Sequence, residues 1–168
     1  DDLGTVYSVG FGNSLTVGRV DTTGSDTTNG VTAQTLTLEV DGTSTNVTVE
    51  AGASAKTIAA NISSQVGGLS ATASTVATVE FNNAAAGGAT DLIEVNGVSL
   101  TVDLSGTSAA LKATALKTAI AAETSLSGLS VVDNSGSLTI TDADGDDITF
   151  KVGATFNANS DFDVETTV

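Results

Sequence analysis

LTLEVDG at residues 36 to 42 and LIEVNG at residues 92 to 97 decide how this chain is read. In the first, Leu36, Leu38 and Val40 alternate with Thr37 and Glu39 before Asp41-Gly42. In the second, Ile93 and Val95 flank Glu94 before Asn96-Gly97. Period-two alternation that ends in Asp-Gly or Asn-Gly predicts a strand entering a two-residue hairpin turn, because these pairs accept the left-handed backbone the turn demands. Alternation resumes beyond each turn, with Val47 and Val49 around Thr48, and with Val98, Leu100, Val102 and Leu104 spaced by Ser99, Thr101 and Asp103.

Each hairpin leads into a helical pattern. Ser54 precedes AKTIAANISSQV, in which Ile58, Ile62 and Val66 recur every four residues; Ser54 serves as the cap and Gly67-Gly68 as the stop. A stripe this narrow must lie against a sheet, since a three-turn helix is marginal alone in water. Ser108 holds the cap position before AALKATALKTAIAAE, where Ala113, Leu116, Ile120 and Glu123 mark one side and Lys112 and Lys117 fall on others. Leu38 to Val49 maps onto Ile93 to Leu104 with a shift of 55, Ile58 and Ile62 map onto Leu116 and Ile120 with a shift of 58, and Gly68-Leu69-Ser70 matches Gly128-Leu129-Ser130 with a shift of 60. An internal duplication of hairpin, helix and return strand accounts for these matches.

The rest of the chain is read around that pair. Residues 1–31 carry short strand pieces at Thr5 to Val9 and Leu15 to Val17, punctuated by Gly10, Gly12 and Gly18 and followed by the polar loop 21–30. Residues 33–83 form the first repeat and 91–153 the second. Within the second, Leu138 to Ile140, the run DADGDD at 142–147 and Ile148 to Val152 read as a further hairpin. The tail, 154–168, carries Phe156 and Phe162 and is expected to pair with the N-terminal segment, bringing both ends together as in a domain inserted in a longer protein. The expected fold is α+β, mostly antiparallel, as one elongated domain or two small lobes. Its structural core centres on Ile58, Ile62, Leu116 and Ile120, and its turns on Asp41, Gly42, Asn96 and Gly97.

Composition limits the chemistry. The 168 residues include no His, Cys, Met, Trp or Pro. Without His and Cys, the common zinc and copper sites and the serine or cysteine nucleophile systems have no ligands or bases. Ser and Thr make up 46 residues, which favours strands with hydroxyl-covered faces over a helical bundle. A net charge of −15 repels nucleic-acid phosphates and anionic membranes, so neither is an expected partner. No apolar run approaches the ~18 residues of a spanning helix. The chain opens on Asp1-Asp2, without Met or a signal peptide, and reads as an excised piece or a mature product.

Asp142, Asp144 and Asp146 alternate as at the start of a calcium loop and are the only metal candidates. The positions that should hold Gly and Glu are Asp147 and Gly153, so the run reads first as an Asp-Gly turn with solvent-facing acids. Glu39 and Glu94 occupy equivalent strand positions of the two repeats, which marks them as solvent-face residues rather than a glycosidase pair. The triplets Asn46-Val47-Thr48 and Asn61-Ile62-Ser63 fit the N-glycosylation pattern and read as coincidences of a hydroxyl-rich chain. No cofactor is expected.

The duplicated unit resembles the flagellin hook IN motif, a strand pair followed by a small A-x-x-I-N helix and a return strand. The matching residues are LEVDG…VTVEAGASAKTIAANIS at 38–63 and IEVNG…LTVDLSGTSAALKATALKTAIA at 93–121. Ser63 and Ala121 stand where the motif has Asn, and the long terminal helices of flagellins are missing. The resemblance implies the variable, surface-exposed outer region of a bacterial flagellin: extracellular, non-enzymatic, decorating the filament, in a family where Thr and Ser carry O-glycans. Its partners would be other flagellin subunits, through segments outside this chain and through outer-domain self-contacts. The same motif occurs in the filament cap protein, hook-associated protein two, which is the alternative. A calcium-dependent adhesin module using 142–147 is a third reading, and a carboxylate enzyme the last.

Overall fold

The two turns have the geometry their residues allow. Asp41 and Gly42 lie at φ 51° and 76°, and Asn96 and Gly97 at 48° and 78°. Positive φ at both central residues is the mark of a type I′ turn, whose twist matches that of the flanking strands. The computed structural model describes residues 14–17, 29, 31–81, 88, 90–152 and 162–167. The expected strand at Thr5 to Val9, the turns at Gly10, Gly12 and Gly18, most of the loop 21–30 and Phe156 of the tail lie outside them.

In chain order the elements are β1 (Ser14–Val17), β2 (Gln34–Val40), β3 (Thr43–Val49), α1 (Ala55–Gln65), β4 (Thr75–Phe81), β5 (Asp91–Val95) and β6 (Val98–Val102). There follow α2 (Ala109–Ala122), a 3-10 turn at Thr124–Leu126, β7 (Leu129–Asp133), β8 (Ser137–Asp142), β9 (Phe150–Val152) and β10 (Phe162–Thr167). Every strand pairing among the described residues is antiparallel, so the fold is α+β with mostly antiparallel β-structure. The strands form a five-stranded sheet β1-β10-β4-β8-β7, a two-stranded sheet β2-β3 and a three-stranded sheet β6-β5-β9. β1 and β10 are neighbours, with Ser14 opposite Thr167 and Val17 opposite Val164.

Both helices start at their serines. The Ser54 hydroxyl accepts from Thr57 N at 3.2 Å, and that of Ser108 from Leu111 N at 3.3 Å. The caps also correct the alignment of the repeats. Ser54 to Ser108 is a shift of 54, and the same shift carries Thr75, the start of β4, to Leu129, the start of β7. Ile58, Ile62 and Val66 therefore correspond to Lys112, Leu116 and Ile120, one helical turn away from the pairing that the apolar residues suggest. The Gly-Leu-Ser triplets are not equivalent: Leu69 lies exposed before β4, whereas Leu129 opens β7.

Two cores result. In the smaller, Val47 of β3 packs with Ile62 and Val66 of α1, and Leu36, Leu38, Val40 and Ile58 line its half-buried margin. In the larger, α2 packs on β6 and on β4, β7 and β8. Leu116 and Ile120 share it with Ile93, Val95, Leu138 and Ile140, all buried. The return strand of the first repeat does not rejoin its own hairpin. β4 lies between β10 and β8, so both return strands, β4 and β7, flank β8 in the five-stranded sheet. Among the described residues, no helix is long and apolar enough to cross a membrane.

Candidate functional site

The acidic run 142–147 is the one stretch whose residue types suggest a site, and the structure corrects its expected form. β8 pairs with β4 and β7, while β9 pairs with β5. Residues 143–149 are thus a crossover from one sheet to another rather than a hairpin turn. The hairpin in this region is β7–β8, turned through Ser135 and Gly136 at φ 63° and 139°. The crossover is anchored by Ile148, buried in the larger core, and by Asn96, whose Oδ1 accepts from Thr149 N at 2.8 Å. Asn96 N in turn donates to the Thr149 carbonyl at 2.9 Å. The second hairpin turn therefore also holds the third strand in place.

The carboxylates of the run do not converge on one point. Asp142 Oδ1 accepts from Asp144 N at 2.9 Å and Asp146 N at 3.3 Å, folding the loop on itself. Asp146 Oδ2 takes Lys56 Nζ at 2.7 Å, with both side chains about half exposed. That hydrogen bond, and then the charges of Asp146, Asp144 and Asp142, hold the Lys56 ammonium above its ordinary pKa. Asp147 accepts from Asn29 Nδ2 with both oxygens, each at 3.0 Å. Asn29 also donates to the carbonyls of Gly52 and Ala53 at 3.3 and 3.2 Å. Lys56 N completes the set by donating to the Gly145 carbonyl at 3.0 Å. Among the described residues no three acidic side chains are grouped to hold a metal ion. Asp142, Asp144 and Asp146 instead belong to a junction that ties the start of α1 to the β8–β9 crossover.

The remaining candidates are placed as follows. Glu39 is exposed, and Glu94 is half-buried opposite Lys151 of β9. Asn46 is exposed on β3 and accepts from Thr37 Oγ1 at 2.8 Å, while Asn61 is half-buried on α1. Ile62, Leu116 and Ile120 are buried, and Ile58 is half-buried. Two further carboxyls sit below the ordinary range. Asp103 is lowered by hydrogen bonds from the Ser105 hydroxyl and amide, and Asp133 by those from Thr114 Oγ1 and Ser135 N and by the charge of Lys117.

Lys112 is the residue that sequence reasoning misplaced. Expected off the packed side of α2, it is fully buried, at 0% exposure. Its position was readable from spacing alone, because Lys112, Leu116 and Ile120 stand four apart, as Ile58, Ile62 and Val66 do. Glu123, expected on that side, is instead the exposed residue that caps the helix end. The link from Asn29 to Asp147, across 118 positions, left no local signal.

Compared with models of known protein families the chain matches none, and it matches no curated protein. What fold and site define together is a β-rich α+β domain built on a duplicated hairpin–helix unit and closed by a hydrogen-bonded junction.

Proposed function

We propose that this chain is a structural, non-enzymatic outer domain of a bacterial flagellin, decorating the exterior of the filament. The observation that carries the reading is the duplicated unit. Type I′ turns at Asp41-Gly42 and Asn96-Gly97, serine caps at 54 and 108, and helix stripes at Ile62-Val66 and Leu116-Ile120 recur in order. This order resembles the strand pair and small helix of the flagellin hook motif, and that likeness supports the reading. The adjacency of β1 and β10 also suits a domain whose chain arrives and leaves at one place. Exposed Thr35, Thr37, Thr43, Ser44 and Thr48 on the first hairpin suit a hydrated, antigenic surface that can carry O-glycans. In this reading, contacts that polymerise the filament lie in segments outside this chain.

Antibodies raised against the purified domain test the proposal by immunogold electron microscopy of source cells. Label along the whole filament is expected. Label only at the distal tip would reassign the domain to the filament cap protein, and unlabelled filaments would overturn both readings. Calcium is expected to give neither binding heat nor a rise in melting temperature, because Asp142 and Asp146 are engaged with the loop amides and Lys56. Stabilisation by calcium would favour the adhesin reading.

A further inference from the structure

The duplication exposes a difference between the two hairpins. In the second, β5 carries β9 on its outer edge, with Ile93 opposite Val152, Glu94 opposite Lys151 and Val95 opposite Phe150. β2 is the counterpart of β5, yet among the described residues β2 pairs only with β3. The consequence shows in burial: Ile93 and Val95 are buried, while their counterparts Leu38 and Val40 are half-buried. β2 also carries little that blunts a sheet edge: Gln34–Val40 contains no Lys or Pro, and one acid, Glu39.

We propose that the outer edge of β2 is an interaction surface whose occupant is the β2 strand of a second copy of this chain. The register follows from the sequence. A two-residue type I′ hairpin directs the amides of Val40, Leu38 and Leu36 to β3, so those of Thr35, Thr37 and Glu39 point outward. An antiparallel pair centred on Thr37 brings these outward groups together, Thr37 facing Thr37 and Thr35 facing Glu39 of the other copy. Leu36 then stands beside Leu38 on the half-buried face, which extends the apolar surface across the junction. No glutamate faces a glutamate, so the register avoids the like-charge contact that a net charge of −15 otherwise invites. The internal precedent is β9, which shows that this edge of the hairpin unit accepts an antiparallel strand. Three outward residues per strand bury far less than the ~1,200 Å² of a stable dimer. The pairing is therefore transient in dilute solution and grows where copies are held close together. It does not rest on the flagellin reading, since it concerns the strand edge alone.

A disulfide trap tests it, because the chain has no cysteine of its own. Facing residues in such a pair lie ~5.5 Å apart between Cα atoms, within disulfide reach. Under mild oxidation, Thr37→Cys should form covalent dimer at least tenfold faster than Ala121→Cys, an exposed helical position that reports random collision. Adding Thr35→Lys, which places an ammonium opposite Glu39, should speed the trapping severalfold, and Thr35→Glu should slow it as much. The same pair of exchanges at exposed Ser64, Ser64→Lys and Ser64→Glu, should change the rate less than twofold. Equal trapping at positions 37 and 121, or equal trapping rates with Thr35→Lys and with Thr35→Glu, overturns the proposal. Neither result touches the immunogold test of the filament reading.

Discussion

Gly145 shows how one position couples the two repeats. It is buried at φ 79°, and an added Cβ would come within 2.5 Å of the Ala73 Cβ and 3.0 Å of Lys56 N. Both the backbone conformation and the space exclude a side chain, so Gly145→Ala should cost about 2 kcal/mol or more, read as a lower urea midpoint. Gly128, with nothing within 4 Å of its would-be Cβ and no positive φ, is the contrast. Gly128→Ala should leave stability unchanged or raise it by about 0.5 kcal/mol. Thr75 offers the opposite case. Its Oγ1 is buried without a hydrogen-bond partner among the described residues, so the position bears the cost of a desolvated hydroxyl. Thr75→Val keeps the shape and removes that cost, and should raise the melting temperature slightly; a drop of several degrees would show that the hydroxyl is satisfied. At Lys112 the reverse holds. The side chain is buried and has its own partner, so Lys112→Ala should cost about 3 kcal/mol through lost packing and the stranded partner.

At the scale of elements, burial ranks the helix positions. Ile120→Ala removes a side chain buried in the larger core and should cost about 3 kcal/mol, whereas Ile58→Ala on the half-buried margin of α1 should cost about 1 kcal/mol. Ile62→Asp or Ile120→Asp adds an unpaired charge and should cost several kcal/mol more; wild-type melting in either variant would contradict the packing of these helices. The hairpins and caps are legible in the sequence because each depends on residues within a few positions: Asp41-Gly42, Asn96-Gly97, Ser54 and Ser108. The register of α2 is not. α1 packs on one face of the β2-β3 hairpin, mainly against β3, and so shows one clean stripe. α2 packs on both β6 and the five-stranded sheet, and its Ala-rich sequence offers several apolar lines of equal merit. Lys112 hides among them. The sheet partners are also beyond reading, since β4 pairs with β8 across roughly sixty positions and alternation does not name a partner. The acidic run illustrates both limits: its Asp and Gly residues are legible as turn formers, but whether they close a hairpin or cross between sheets depends on where β8 and β9 find their neighbours.

For the whole molecule, the absence of His and Cys sets the response to pH. No side chain has an ordinary pKa between about 5 and 8, so stability should vary little with pH across that range. Below it, Asp103 and Asp133 contribute with a known sign. Their folded pKa values lie under the ordinary 3.8, so in acid these two groups bind more protons in the unfolded chain than in the folded one. The stabilisation they give is fully present above the unfolded pKa and is lost as pH falls through the lower folded values. Lys56 acts at the other end: its raised pKa gives a contribution present below 10.5 that disappears as pH climbs through the folded value. Both groups of contacts are exposed and hence small, whereas the net charge of −15 acts on the whole surface. Screening that repulsion with about 0.5 M sodium chloride should raise the melting temperature at pH 7, even though it weakens the Lys56–Asp146 pair, because attraction at so few basic residues competes with the mutual repulsion of an excess of fifteen negative charges. Melting curves at pH 7 with and without salt check this directly. A fall with salt would mean that the junction at Lys56, Asp146 and Asp147, rather than surface repulsion, dominates the electrostatics of the fold, and in that case Lys56→Ala should abolish the salt effect.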